Sequence, residues 1–185
     1  MARAVHVALA AHPANSPRFR QHIDVSLQQA DNGGLALSYV IRGLNLDLHV
    51  PTPHVPAPAD ALWSTTCCEL FVAPAGQASY REFNFSPSGQ WAAHDFSGYR
   101  ERNATAVLAA SPTIACQRTE DRLQLDVALP HAALPHGKAF GLGITVVLQT
   151  QDGHLGYWAL AHVPGKPDFH CREGFLLRFG PHGLN

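Results

Sequence analysis

Ser79-Tyr80-Arg81-Glu82-Phe83-Asn84-Phe85-Ser86-Pro87-Ser88-Gly89-Gln90-Trp91 alternates between two kinds of side chain and then breaks at Pro-Ser-Gly. Successive side chains of a strand point to opposite faces, so Phe83 and Phe85 share one side while Tyr80, Glu82, Asn84 and Ser86 share the other. The phenylalanines belong to a core. If Ser88-Gly89 forms a two-residue hairpin turn, Ser86 faces Trp91, Asn84 faces Ala93 and Glu82 faces Asp95. The indole then stands beside an amide and a carboxylate, with room above the small Ala93. That combination suits a sugar-like ligand, whose C–H face lies on an aromatic platform while its hydroxyls find donors and acceptors. A three-residue loop shifts the register by one and brings His94 to that place instead. An ordinary amphipathic strand with a solvated polar face would show the same alternation.

The period of two extends in both directions from this hairpin. Ile23, Val25 and Leu27 alternate, Asp31-Asn32-Gly33-Gly34 reads as a turn, and Leu35, Leu37, Tyr39 and Ile41 alternate in the return strand. Leu44, Leu46 and Leu48 continue the pattern after Gly43, which is expected to act as a bulge or bend. Residues 51–60 hold Pro51, Pro53, Pro56 and Pro58, which fits a surface crossover between two layers rather than a place inside a sheet. Further strands are expected over residues 67–73, 79–85, 91–96, 113–118, 123–129, 140–149, 155–161 and 175–179. Residues 99–110 are expected to hold a turn or two of helix. A dozen short strands with turn chemistry between them predict an all-β fold, a β-sandwich of two mainly antiparallel sheets with little helix, in one domain over residues 1–185.

Composition narrows the function. The chain has 185 residues, 46% hydrophobic and 15% charged, long enough for one real core. Thirteen Lys and Arg oppose fourteen Asp and Glu, for a formal charge of -1, and neither sign forms the runs that mark nucleic-acid arms or polybasic membrane anchors. Neither a nucleic acid nor a membrane is expected as partner, and the oligomeric state is left open. The opening residues Met1-Ala2-Arg3-Ala4-Val5-His6 lack the apolar core of a signal peptide. Four cysteines, Cys67, Cys68, Cys116 and Cys171, are too few for a disulfide scaffold, and a reducing cytoplasmic location is expected.

Several side chains invite chemistry. Glu69 shares a strand side with Cys67 and Phe71, while Cys68, Leu70 and Val72 form the apolar side. An acid in such company is either at a site or paired with an arginine, for which Arg100 is the natural candidate. Trp158 lies in Tyr157-Trp158-Ala159-Leu160 before the loop from His162 to His170, and loops at a sandwich end often carry function. Twelve histidines are scattered without a zinc-finger or helical i, i+4 spacing, although His162 and His170 flank one loop. No metal is expected. No nucleophile elbow, P-loop or dinucleotide fingerprint occurs, which removes the motif support for nucleophilic and nucleotide chemistry.

The runs Leu62-Trp63-Ser64-Thr65-Thr66-Cys67-Cys68-Glu69-Leu70-Phe71, Tyr80 to Trp91, and Phe96-Ser97-Gly98-Tyr99-Arg100 together resemble the bacterial DOMON-like proteins, relatives of the family-nine carbohydrate-binding modules. The resemblance is specific over residues 62–102 and looser over 157–170. It implies a β-sandwich with a pocket for sugar or haem. Related sugar modules hold glycans between aromatic side chains with flanking polar groups, and the resemblance makes Trp91 and Trp158 the candidates for that role. Haem-binding DOMON domains typically use an axial Met, and Met1 is the one methionine here, so a haem would need histidines such as His94 or His170.

These readings converge on a non-catalytic module for a small carbohydrate or sugar-like metabolite, with Trp91, Trp158, Glu82, Asn84, Glu69 and Arg100 around the pocket and no obligatory cofactor. A haem-binding domain is the first alternative. The second is a glycoside hydrolase using Glu69 and Glu82 as its carboxylate pair, and a third is an interaction platform at an exposed sheet edge.

Overall fold

Alternating strands become two layers. A computed structural model of the chain describes residues 4–43, 47–181 and 183–185, and for residues 104 and 105 the backbone alone. In chain order the strands are β1 (Val5–Ala8), β2 (Ala10–Ala11), β3 (His22–Gln29), β4 (Leu35–Arg42), β5 (Leu48–His49), β6 (Cys67–Pro74), β7 (Tyr80–Phe85) and β8 (Trp91–Gly98). They continue with β9 (Glu101–Thr105), β10 (Thr113–Arg118), β11 (Arg122–Leu129), β12 (Phe140–Thr150), β13 (Leu155–Ala159), β14 (Leu177–Gly180) and β15 (Gly183–Leu184). Helix among the described residues is confined to the short turns Leu62–Ser64, His131–Ala133 and Arg172–Gly174, and no helix is long and apolar enough to cross a membrane.

The smaller sheet has five strands in the order β1-β3-β4-β11-β10, and the larger has ten, ordered β15-β14-β12-β6-β7-β8-β9 with β13, β2 and β5 joined beside β12. All pairings between these strands are antiparallel. Alternate residues of each sheet face the partner sheet. Ile23, Val25, Leu37, Ile41, Leu123 and Leu125 from the smaller sheet pack with Leu70, Val72, Phe83, Phe85, Leu142 and Ile144 from the larger. Full burial of each such side chain stabilises by about 1.5–3 kcal/mol before entropy is counted. Tyr39 crosses the core, and its hydroxyl donates to the Glu69 carbonyl at 2.9 Å, which ties the smaller sheet to β6.

The hairpin between β7 and β8 closes through three residues, not two. Ser86 N–H donates to Gln90 O at 2.9 Å and Gly89 N–H to Ser86 O at 3.0 Å. Pro87 suits the second position of a type I turn, and Gly89 takes φ of 90°, the left-handed conformation that such a loop needs. The register therefore sets Phe85 opposite Trp91, Phe83 opposite Ala93 and Glu82 opposite His94. Glu82 does not face Asp95, which pairs instead with Arg81 at 2.7 Å.

Other expectations need correction. Residues 99–110 hold no helix; β8 turns back through Arg100, at φ of 56°, into β9. The proline segment 51–60 does not cross between layers, because β5 and β6 both lie in the larger sheet. It runs instead beside the start of β8, where Trp91 N–H donates to Ala57 O and Ala59 N–H to Trp91 O. The expected alternation at Leu44 and Leu46 lies outside the described residues.

Candidate functional site

The face of the larger sheet that points away from the smaller one carries a second aromatic cluster of Phe71, Tyr80, Phe96 and Phe175, with Phe169 packed against it. Strand parity explains why. Phe71 shares its side of β6 with Glu69, Tyr80 shares its side of β7 with Glu82 and Asn84, and Phe96 shares its side of β8 with His94. Residues 160–176 fold over this face. Asp168 pins the segment to the β8–β9 turn by accepting from Arg100 at 3.0 Å, from the Tyr99 hydroxyl and from the His170 N–H. His170 then reaches the Tyr80 hydroxyl at 2.8 Å, and the Tyr80 ring stacks on Phe96 with centroids 4.7 Å apart.

Between cover and sheet lies a cavity of about 340 Å³, whose polar lining is Glu69, Glu82, His94, His170, Arg100 and Arg102 among aromatic walls that include Trp63, Tyr157 and Phe169. Trp63 is 51% exposed and lines the cavity, so an indole stands at the opening. The two acids lie deep, Glu69 at 2% and Glu82 at 6% exposed. Thr145 Oγ1 donates to Glu69 Oε2 at 2.7 Å and Asn84 Nδ2 to Glu82 Oε1 at 2.7 Å. Burial pushes the Glu69 carboxyl well above the usual carboxylate range, and the nearby charge of Glu82 adds to the effect. Burial raises Glu82 as well, against the opposing pull of the Asn84 amide and of Arg102 and Arg100. His170 lies 3.9 Å from Glu82 but is pushed down to about 4 by burial and by Arg100, so it is neutral near pH 7. His94 is 3% exposed, and among the described residues neither ring nitrogen has a hydrogen-bond partner; the Asp60 carboxylate stands 3.9 Å away.

The structure brings Glu69, Glu82, Asn84 and Arg100 to this one region, with Asn84 behind Glu82. It does not bring the expected indoles. Trp91 belongs to the core between the sheets, on the side of Phe83 and Phe85, because the three-residue loop places it opposite Phe85. At 8% exposure it borders a different groove, of about 510 Å³, beside Pro58 and Leu108. Trp158 is 1% exposed in the same core, edge-on to Phe19, and its neighbour Tyr157 is the residue that faces the cavity. Arg100 pairs with Asp168 rather than Glu69. His162 and His170 turn to different partners, His162 to the Ala10 carbonyl and His170 to Tyr80.

Sequence reasoning missed Trp63, Phe96, Tyr157 and Phe169 as cavity walls. The signal for Tyr157 was parity: in Tyr157-Trp158 one ring must go to each face. For Trp63 it was position, since a large aromatic after a proline-rich surface segment has little sheet to bury it.

No protein-family profile matches the chain, and no curated protein matches it in sequence. Solved structures share its fold. A candidate carbohydrate-binding protein from Bacteroides uniformis superposes with a TM-score of 0.60 at 18% identity, covering 92% of this chain and 83% of that one. A family-nine carbohydrate-binding module from Caldicellulosiruptor kristjanssonii, in complex with cellotriose, gives a TM-score of 0.53 at 10% identity over 88% of this chain and 75% of that one.

Proposed function

We propose that the cavity on the outer face of the larger sheet binds a small carbohydrate or sugar-like metabolite and releases it unchanged. The observation that carries this reading is an exposed indole at the mouth of a cavity whose floor holds buried carboxyls and a histidine with two nitrogens unpartnered among the described residues. Aromatic faces suit the C–H face of a sugar ring, and buried polar atoms lacking partners suit its hydroxyls. The shared fold supports the reading, since the Caldicellulosiruptor module of that fold holds cellotriose. Kinship with the DOMON-like proteins, inferred from residues 62–102, belongs to the same proposal.

Titrating a panel of mono- and disaccharides while following tryptophan emission tests it. Trp63 is the exposed one of three indoles, so a bound sugar should shift its emission, with Kd below about 1 mM. Trp63→Ala should weaken binding by about three- to tenfold. A panel with no ligand tighter than about 1 mM and no emission change would refute the reading. Chromatography of the sugars after long incubation should return them intact; released monosaccharide would transfer Glu69 and Glu82 to a hydrolytic role. Haem should produce no Soret shift, whereas a shift removed by His94→Ala or His170→Ala would favour haem.

A further inference from the structure

The buried acids of this cavity differ from ordinary buried carboxylates in what surrounds them. Their hydrogen-bond donors are neutral, the Thr145 hydroxyl and the Asn84 amide. Of the cations on the same side, Arg100 is committed to Asp168 at 3.0 Å and Arg102 stands 3.7 Å from Asp60. The histidine beside Glu82 is held neutral by burial. Both arginines line the cavity and pull on Glu82, but each also faces a second carboxylate, so the two buried carboxyls, close enough for one charge to disfavour the other, share the cations they see with Asp168 and Asp60. His94 lines the same cavity, almost wholly buried, with both ring nitrogens unpartnered among the described residues, an independent sign that a polar ligand group completes this floor.

Resting on the carbohydrate-binding reading above, we infer that the preferred ligand is an amino sugar, its ammonium group set against Glu69 and Glu82 and a neighbouring hydroxyl at His94. An ammonium offers three N–H donors and no acceptor, matching the carboxylate oxygens of Glu69 and Glu82. Rings such as Trp63, Phe71 and Tyr157 attract the same cation through their faces, and burial strengthens that attraction. A neutral sugar would leave the two acids to share a proton. An N-acetylated sugar brings no charge and adds bulk beside the two acids.

Binding an ammonium should also expel protons. The titratable and charged groups around the acids are Tyr39 on β4, Cys67 and Cys68 on β6, Tyr80 on β7, His94 on β8, Tyr157 on β13, His170 on the covering segment, and Arg100 and Arg102 after β8; burial raises Tyr39, Cys68 and Tyr80 and keeps them protonated. Burial raises Cys67 and Tyr157, which keeps them protonated, and burial keeps both histidines neutral near pH 7. The exchangeable proton is therefore that of the carboxyl pair.

Glucosamine, glucose and N-acetylglucosamine are titrated calorimetrically into the whole protein at about pH 6, where an amine is protonated, in two amine-free buffers of different ionisation heat. Glucosamine should bind about tenfold or more tighter than the other two, with proton release to buffer. Glu69→Gln should cut that preference to about threefold or less, and Glu82→Gln serves as the second variant should the first unfold. Glucose or N-acetylglucosamine binding as well as glucosamine would overturn the amino-sugar inference and leave the carbohydrate-binding reading standing. If none of the three binds and the wider panel is silent too, both fall.

Discussion

Glu69 is an acid whose fold favours its protonated form. Burial and the Glu82 charge raise its pKa, whereas in the unfolded chain it titrates in the ordinary carboxylate range. Its contribution to stability is therefore complete below about pH 4 and is lost as the pH climbs toward the raised folded value. Glu69→Gln imitates the protonated acid and keeps an oxygen for Thr145. In urea unfolding, the variant should gain on the wild type by about 1 kcal/mol or more between pH 5 and pH 8. A difference that stays flat or reverses across that interval contradicts the assignment. His170 works from the other side. Its pKa is depressed to about 4, so its stabilising share is present above the usual histidine value of about 6.5 and drains as the pH falls toward 4. Between about pH 4 and 6.5 the two contributions change in opposite directions and offset each other, above about 6.5 the Glu69 loss stands alone, and Glu69→Gln should flatten that alkaline limb.

At the scale of elements, β12 shows how a strand makes room for the covering segment. A Cβ on Gly143 would lie 2.6 Å from Phe175 Cδ1, so the bare backbone is what lets Phe175, near the end of the covering segment, lie on the outer face. Gly143→Ala should cost about 1–3 kcal/mol as the ring is displaced. The same variant should speed hydrogen exchange at amides 166–175, because Phe169 and His170 ride on the displaced segment; unchanged exchange would show that the cover is held from elsewhere. The strands themselves were legible because alternation is a local signal: Cys68, Leu70 and Val72 against Glu69 and Phe71 sorted β6 correctly before any partner was known. Pairing was less legible. Trp91 lies five residues after Ser86, and one residue of loop length decided whether its indole joined Glu82 or Phe85. The Arg100 partner was illegible for a related reason, since Asp168 comes from a segment 68 residues away whose path no strand pattern records.

Across the whole molecule, the larger sheet is covered on both faces, by the smaller sheet within and by residues 160–176 without, and this separates two uses of aromatic side chains. Indoles between the sheets fill volume; an indole at the outer mouth faces solvent and whatever enters. Trp158 is the clearest member of the first class, buried against Phe19 with Val146 opposite it on β12. Trp158→Phe keeps an aromatic ring but leaves part of the indole volume empty, so it should destabilise by about 1–3 kcal/mol in denaturant unfolding. Sugar affinity, measured on the folded fraction, should stay within about twofold, because the ring has no contact with the cavity. Trp63→Ala should show the reverse, a weakened ligand with stability changed by about 0.5 kcal/mol or less, as expected for an exposed side chain. The two substitutions thus form a crossed pair. If Trp158→Phe weakened the ligand while Trp63→Ala left it untouched, binding would depend on the inter-sheet core, and the outer face would lose its claim to the site.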